Sequence, residues 1–222
     1  MSISITWTPT LALTLLAQKA AFLGWVLCGG SGNDSINGGS GADTLIGGYG
    51  ADTINVGNGA DNDADIVRFE RVLDFADTVS NFGIVKDVVQ FGADLNVAYD
   101  DINNDDNFQF TTGNGVNNDD ITVNLDTTFE ALLLSGIGGE GVSNGNLGNA
   151  AAVAAEFNGE FNITASMDQD ALLVVNDTDS NSFALWQYVE AGGAEIQVAE
   201  LSLIGIFSTI GGNATTTNFD FI

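Results

Sequence analysis

Residues 29–64 read GGSGNDSIN (Gly29–Asn37), GGSGADTLI (Gly38–Ile46), GGYGADTIN (Gly47–Asn55) and VGNGADNDA (Val56–Ala64). The first three units follow one pattern, G-G-x-G-x-D-x-U-x, with U being Ile36, Leu45 and Ile54. Glycine supplies positive φ and lets backbone carbonyls crowd towards a common point. The aspartate in sixth place adds a hard anionic oxygen, and the last three residues extend as a strand with one apolar side chain aimed inwards. Six turn residues and three strand residues make half a coil, so the chain returns above itself every eighteen residues. That interval stacks Asp34 on Asp52 and Asp43 on Asp61. With carbonyls from Gly30, Gly32, Gly39, Gly41, Gly48 and Gly50, each pair forms an oxygen-only cage suited to Ca2+ rather than to softer metals. A flexible linker does not hold aspartate and an aliphatic residue at fixed offsets. The fourth unit departs from the pattern: Val56 replaces its first glycine, and its apolar slot falls on Asp63. Asp63 and Asp65 then either add carboxylates or close the roll.

The repeats resemble those of the RTX (repeats-in-toxin) parallel β-roll, whose signature is this glycine-rich nonapeptide. The resemblance implies an all-β fold: a parallel β-roll extended by further strands, with a short N-terminal strand or helix segment and one short helix near 149–157. It divides the chain into an N-terminal capping and assembly segment (1–28), the calcium roll and its continuation (29–95), and a β-rich C-terminal module with a secretion-like tail (96–222). Downstream, DTVSNF and KDVVQF look like the strands that often follow such repeats, so Asp77 and Asp87 become further candidate ligands. Solvated turn aspartates are the other reading. The C-terminal stretch and its end, TTTNFDFI, resemble RTX surface proteins exported by type I secretion, in which an uncleaved C-terminus is the export address.

Charge narrows the partners. The chain has 30 acidic residues against 4 basic ones, a net charge of −26, and no histidine. Nucleic acid and anionic membrane both require a basic patch, which is lacking here. Several Ca2+ ions are the natural counter-charge, and without them stacked carboxylates repel, so folding and metal binding become one event. The absence of histidine removes Ser-His-Asp and Cys-His chemistry, and the elbow-like GVSNG (141–145) lacks its base. Cys28 is single, which excludes an internal disulfide, and is expected to be a small core hydrophobe.

Elsewhere, Ser2–Thr8 alternates as a strand, and Leu11–Leu27 reads as a helix or a second strand covering the open first coil. No base precedes the apolar N-terminal run, so a cleaved signal is not expected, and the run is too broken to span a bilayer. Strands are expected at Ile66–Phe69, Val88–Phe91, Phe108–Thr112, Ile121–Leu125, Ala171–Val175 and Phe183–Val189. A helix within 146–161 should end near Asn158-Gly159. The turn NDTDSNS offers Asp177, Asp179 and Asn181 at alternate positions; a hairpin turn or a partial EF-type loop both fit. The acidic clusters at 100–106 and 117–120 read as solvated loops or loose calcium sites. The expected function is a non-enzymatic, secreted, calcium-binding structural protein that pairs with itself into a fibre, surface layer or matrix. The alternative is a monomeric adhesion or carbohydrate-binding module that meets a cell-surface glycan through Trp186 and Tyr188.

Overall fold

The computed structural model describes residues 4–6, 14–16, 24–57, 63–70, 76–92, 110–112, 121–124, 131–134, 141–143, 145–164, 170–191 and 195–221. The expected acidic clusters at 100–106 and 117–120, and Phe108–Gln109, lie outside them. The chain forms two compact units: Met1–Asn96 with Gly205–Gly212 and Thr217–Ile222, and Val97–Ile204 with Asn213–Thr216.

The first unit is a parallel β-roll. One sheet has the order β1 (Ser4–Thr6), β3 (Val26–Ser31), β5 (Thr44–Tyr49), β7 (Ile66–Phe69), β9 (Val88–Phe91) and β17 (Phe219–Phe221), every neighbouring pair parallel. A second set comprises β2 (Thr14–Leu16), β4 (Ser35–Asn37), β6 (Thr53–Asn55), β8 (Asp77–Gly83) and the end of β16 (Leu201–Ile210), again parallel. From β1 to β9 the chain crosses from one sheet to the other at every half-coil. The described part of the N-terminal segment is therefore strand and not helix, and it continues the stack: Ile5 pairs with Leu27, and Leu15 with Ile36.

Side chains at the repeats' apolar slot form the core. Leu27, Leu45, Val67 and Val89 stack in one column and Ile36, Ile54 and Val79 in another, all buried. Each such side chain contributes roughly 1.5–3 kcal/mol on burial. Coils lengthen along the roll, and the larger interior is filled by phenylalanines: Phe69 stacks on Phe91 at 6.2 Å, and Phe207 meets Phe82 edge-on at 5.4 Å. Cys28 falls outside this core; it is only partly buried on β3, where burial pushes its thiol pKa up.

In the second unit, β12 (Ala131–Leu134) lies between β10 (Phe110–Thr112) and β14 (Asp170–Asn176), both parallel to it, and β14 forms an antiparallel hairpin with β15 (Ser182–Val189). Strands β11 (Ile121–Asn124) and β13 (Phe161–Thr164) pair in parallel. The helix α1 spans Ala150–Glu160, with Asn149 as N-cap. It runs past the expected stop at Asn158-Gly159. Asn158 is occupied elsewhere, since its amide exchanges two hydrogen bonds with the Ile196 backbone, and Phe161 stacks on Phe157 at 5.8 Å, carrying the helix to that contact. Trp186 and Tyr188 are both buried, the indole N–H donating to the Leu147 carbonyl. They form core and not a ligand platform. No helix among the described residues is long and apolar enough to cross a membrane.

Candidate metal centre

Each nonapeptide turn depends on glycine twice over. Gly30, Gly32, Gly39, Gly41, Gly48 and Gly50, the second and fourth residues of each unit, all have φ between 90° and 130°, where an L side chain is strained. Successive turns also touch backbone to backbone: a Cβ on Gly48 would stand 2.2 Å from the Gly30 carbonyl oxygen. The turns consequently stack flat and bring the sixth-place aspartates into line.

Those aspartates form a ladder. The Asp34 N–H donates to Asp52 Oδ1 at 2.6 Å, and the Asp52 N–H donates to Asp77 Oδ1 at 2.7 Å. In the next coil the partner of Asp77 is Gly205, which has no side chain, so this ladder ends at three carboxylates. The second oxygens of Asp52 and Asp77 are buried and accept no hydrogen bond. They converge on Gly47, where a Cβ would lie 2.4 Å from one and 2.9 Å from the other. One coil earlier, a Cβ on Gly29 would meet one carboxylate oxygen, Asp34 Oδ2 at 2.6 Å, and the Gly47 carbonyl oxygen, also at 2.6 Å. The first glycines of the units are not among the residues expected from the sequence; Gly29 and Gly47 are marked by closeness to carboxylates and Gly38 by the Val56 carbonyl oxygen at 2.4 Å from its Cβ position, none of them by positive φ.

The opposite edge carries a second ladder at a different interval. The Trp25 N–H donates to Asp43 Oδ1 at 2.8 Å, the Asp43 N–H to Asp65 Oδ1 at 2.7 Å, and the Asp65 N–H to Asp87 Oδ1 at 3.0 Å. Asp61, the partner expected for Asp43, lies outside the described residues; the carboxylate bonded to the Asp43 N–H is that of Asp65, 22 residues on. Four extra residues precede the strand of this coil, and its carboxylate moves with the strand. Asp63 bonds the Gly41 N–H at 2.5 Å, supporting the turn above. Asp87 ends the ladder, its other oxygen accepting the Gly83 N–H at 2.6 Å. All six aspartates mark the start of a strand, five directly before it and Asp77 as its first residue, as D-x-[I/L/V]: DSI, DTL, DTI, DIV, DTV and DVV. Among Asp61, Asp63 and Asp65, Asp65 alone carries that triplet.

Electrostatics calls for a cation. Burial raises the pKa of Asp52. Asp77 is pushed up to about 7, first by burial and then by the charge of Asp52, against the opposing pull of the Asp52 N–H. Both carboxylates are therefore costly as bare anions. The donor set is all oxygen, which suits a hard divalent ion. No three His, Cys, Asp or Glu side chains converge among the described residues, so carbonyls and water must complete any shell. In the second unit the NDTDSNS turn is closed locally. Asp177 Oδ1 accepts the Asp179 and Ser180 N–H groups at 2.8 and 3.2 Å, while Asp179 and Asn181 are exposed.

No curated protein and no solved structure matches the chain. The family model of the RTX calcium-binding nonapeptide repeat (4 copies) matches residues 29–63. This segment of the chain is thus an RTX repeat region, and its nonapeptides bind Ca2+.

Proposed function

We propose that this protein is a secreted structural subunit, exported unfolded by the type I route, that folds on Ca2+ outside the cell and assembles with its own copies into a fibre or surface layer. The observation that carries the reading is the pair of buried, uncompensated oxygens of Asp52 and Asp77. A chain of net charge −26 with such a core is unstable where free calcium is scarce and folds where it is millimolar. Bound Ca2+ supplies the positive charge between stacked carboxylates. Asp34, Asp52 and Asp77 hold one edge, and Asp43 and Asp65 the other, while the glycine turns keep the approach open. Asp87 stands at the end of the second ladder.

The role is non-enzymatic; the sequence has no histidine to serve as general base. The adhesion alternative relied on an aromatic platform, and burial of Trp186 and Tyr188 takes away its glycan-facing surface. Circular dichroism during a Ca2+ titration, followed by negative-stain microscopy of the same sample, tests the reading. Calcium-induced strand signal together with filaments or sheets that dissolve in chelator is the expected result. A fully folded metal-free protein overturns the switch, and dispersed particles at millimolar Ca2+ overturn assembly.

A further inference from the structure

We infer that the two edges of the roll end differently: on the first, Asp77 shares a Ca2+ with Asp52, whereas on the second a backbone N–H takes the place of an ion at Asp87. This rests on the reading that stacked carboxylates hold the ions, and it names the rung at which each series stops. Asp77 and Asp87 both lie beyond residues 29–63, the segment matched by the repeat family. Each is buried, and each is the last carboxylate of its ladder. In both, Oδ1 accepts the N–H of the aspartate one coil earlier, from Asp52 at 2.7 Å and from Asp65 at 3.0 Å. The difference lies in the other oxygen.

Asp77 Oδ2 is buried and accepts no hydrogen bond, and the same holds for Asp52 Oδ2. A buried carboxylate oxygen without a donor is costly. These two face one glycine, Gly47, whose Cβ would stand 2.4 and 2.9 Å from them, so they border one small space. A cation there answers both oxygens at once, and an all-oxygen setting selects a hard one, Ca2+. Asp87 Oδ2 instead accepts the Gly83 N–H at 2.6 Å. A carboxylate held by two N–H groups keeps its charge without a metal.

The turn from Gly83 to Asp87 has also committed its carbonyls. The Gly83 carbonyl accepts the Asp87 N–H at 2.8 Å and the Lys86 N–H at 3.1 Å. The Asn218 side-chain amide donates to the Ile84 and Asp87 carbonyls at 2.8 and 3.2 Å. No residue of this turn has positive φ, whereas Gly48 and Gly50, in the turn before Asp52, both do. The turn therefore lacks the left-handed glycines on which the nonapeptides depend. Equal edges would hold equal numbers of ions; this arrangement gives the first edge one more.

Counting bound ions on the full-length protein tests the assignment. Calorimetric titration with CaCl2 and metal analysis after gel filtration are run on wild type, Asp77→Asn, Asp87→Asn and Asp52→Asn. Circular dichroism confirms that each is folded at saturation. Asp77→Asn should bind one ion fewer than wild type. Asp87→Asn should bind the same number, while losing the Gly83 bond lowers its midpoint in urea. An ion lost from Asp87→Asn, or a full complement in Asp77→Asn, overturns the inference. A full complement in Asp52→Asn defeats the ladder reading itself, because Asp52 borders both spaces of the first edge. Where a variant does not fold, wild-type crystals grown in CaCl2 decide. Anomalous density between Asp52 and Asp77, with none at the roughly 2.3–2.6 Å of a calcium ligand from Asp87, supports the inference. Density on the Asp87 carboxylate, or none between Asp52 and Asp77, overturns it.

Discussion

Replacing Gly47 with alanine is the sharpest perturbation of the metal centre. The new Cβ would stand 2.4 Å from Asp52 Oδ2, 2.9 Å from Asp77 Oδ2 and 3.2 Å from Asp52 Cβ, where ordinary contact begins at 3.4 Å. The two oxygens must retreat by about 1 Å and 0.5 Å, differences taken from those same distances. Neither carboxylate is free to swing, because the other oxygen of each is held by a backbone N–H at 2.6 and 2.7 Å. Gly47 is not at positive φ, so alanine adds bulk without backbone strain. Overpacking of this kind costs about 1–3 kcal/mol, and metal sites tolerate only about 0.2 Å in ligand distance. At about 1.4 kcal/mol per decade, the calcium midpoint for folding should rise roughly 10- to 100-fold. The assay is far-UV circular dichroism against free Ca2+, with calorimetry for stoichiometry. Gly159→Ala is the control: nothing lies within 4 Å of its Cβ, and it should stabilise α1 by about 0.5–1 kcal/mol with an unchanged midpoint. An unaltered midpoint for Gly47→Ala would refute the cradle.

Acidity gives a second expectation. Asp77 has its folded pKa raised to about 7 from 3.8, so its contribution to the metal-free fold is present below about pH 4 and fades as pH rises to about 7. The difference is roughly 4 kcal/mol. In chelator, the far-UV strand signal should therefore be greater at pH 5 than at pH 8, and Asp77→Asn should flatten that trend. Asp65→Ala leaves the buried Asp43 N–H without its acceptor; a loss of about 1–3 kcal/mol should appear as a lower midpoint in urea with calcium present. Asn149→Ala removes the acceptor of the Ala151 and Ala152 N–H groups and should cost about 1 kcal/mol in thermal unfolding, with the calcium midpoint unmoved.

Much of the roll is legible residue by residue. Strands at Ile66–Phe69 and Val88–Phe91 coincide with the runs read from the sequence, because an apolar pattern bounded by aspartate turns leaves little choice. Gly48 and Gly50 are equally plain, since a repeat that spends glycine at fixed places needs positive φ there. Two details are set by packing. Asp61 lies outside the described residues, and the carboxylate on the Asp43 N–H is that of Asp65, because stacking conserves the strand rather than the residue count. The helix ends at Glu160, next to the Asn158-Gly159 signal, and contacts to Ile196 and Phe157 support its last turn.

The sequence alone settled the coil and its ion, because a nine-residue period of glycine, aspartate and one aliphatic side chain has one way to stack and leaves only oxygen to meet a cation. Tertiary structure decided which carboxylate lies under which, and that β1, β16 and β17 join the roll from the two ends of the chain. Those strands carry no repeat. They pair because an exposed parallel edge accepts any extended segment that can bury an apolar side chain and satisfy its backbone, a condition that holds between distant parts of a chain and is written in neither part separately.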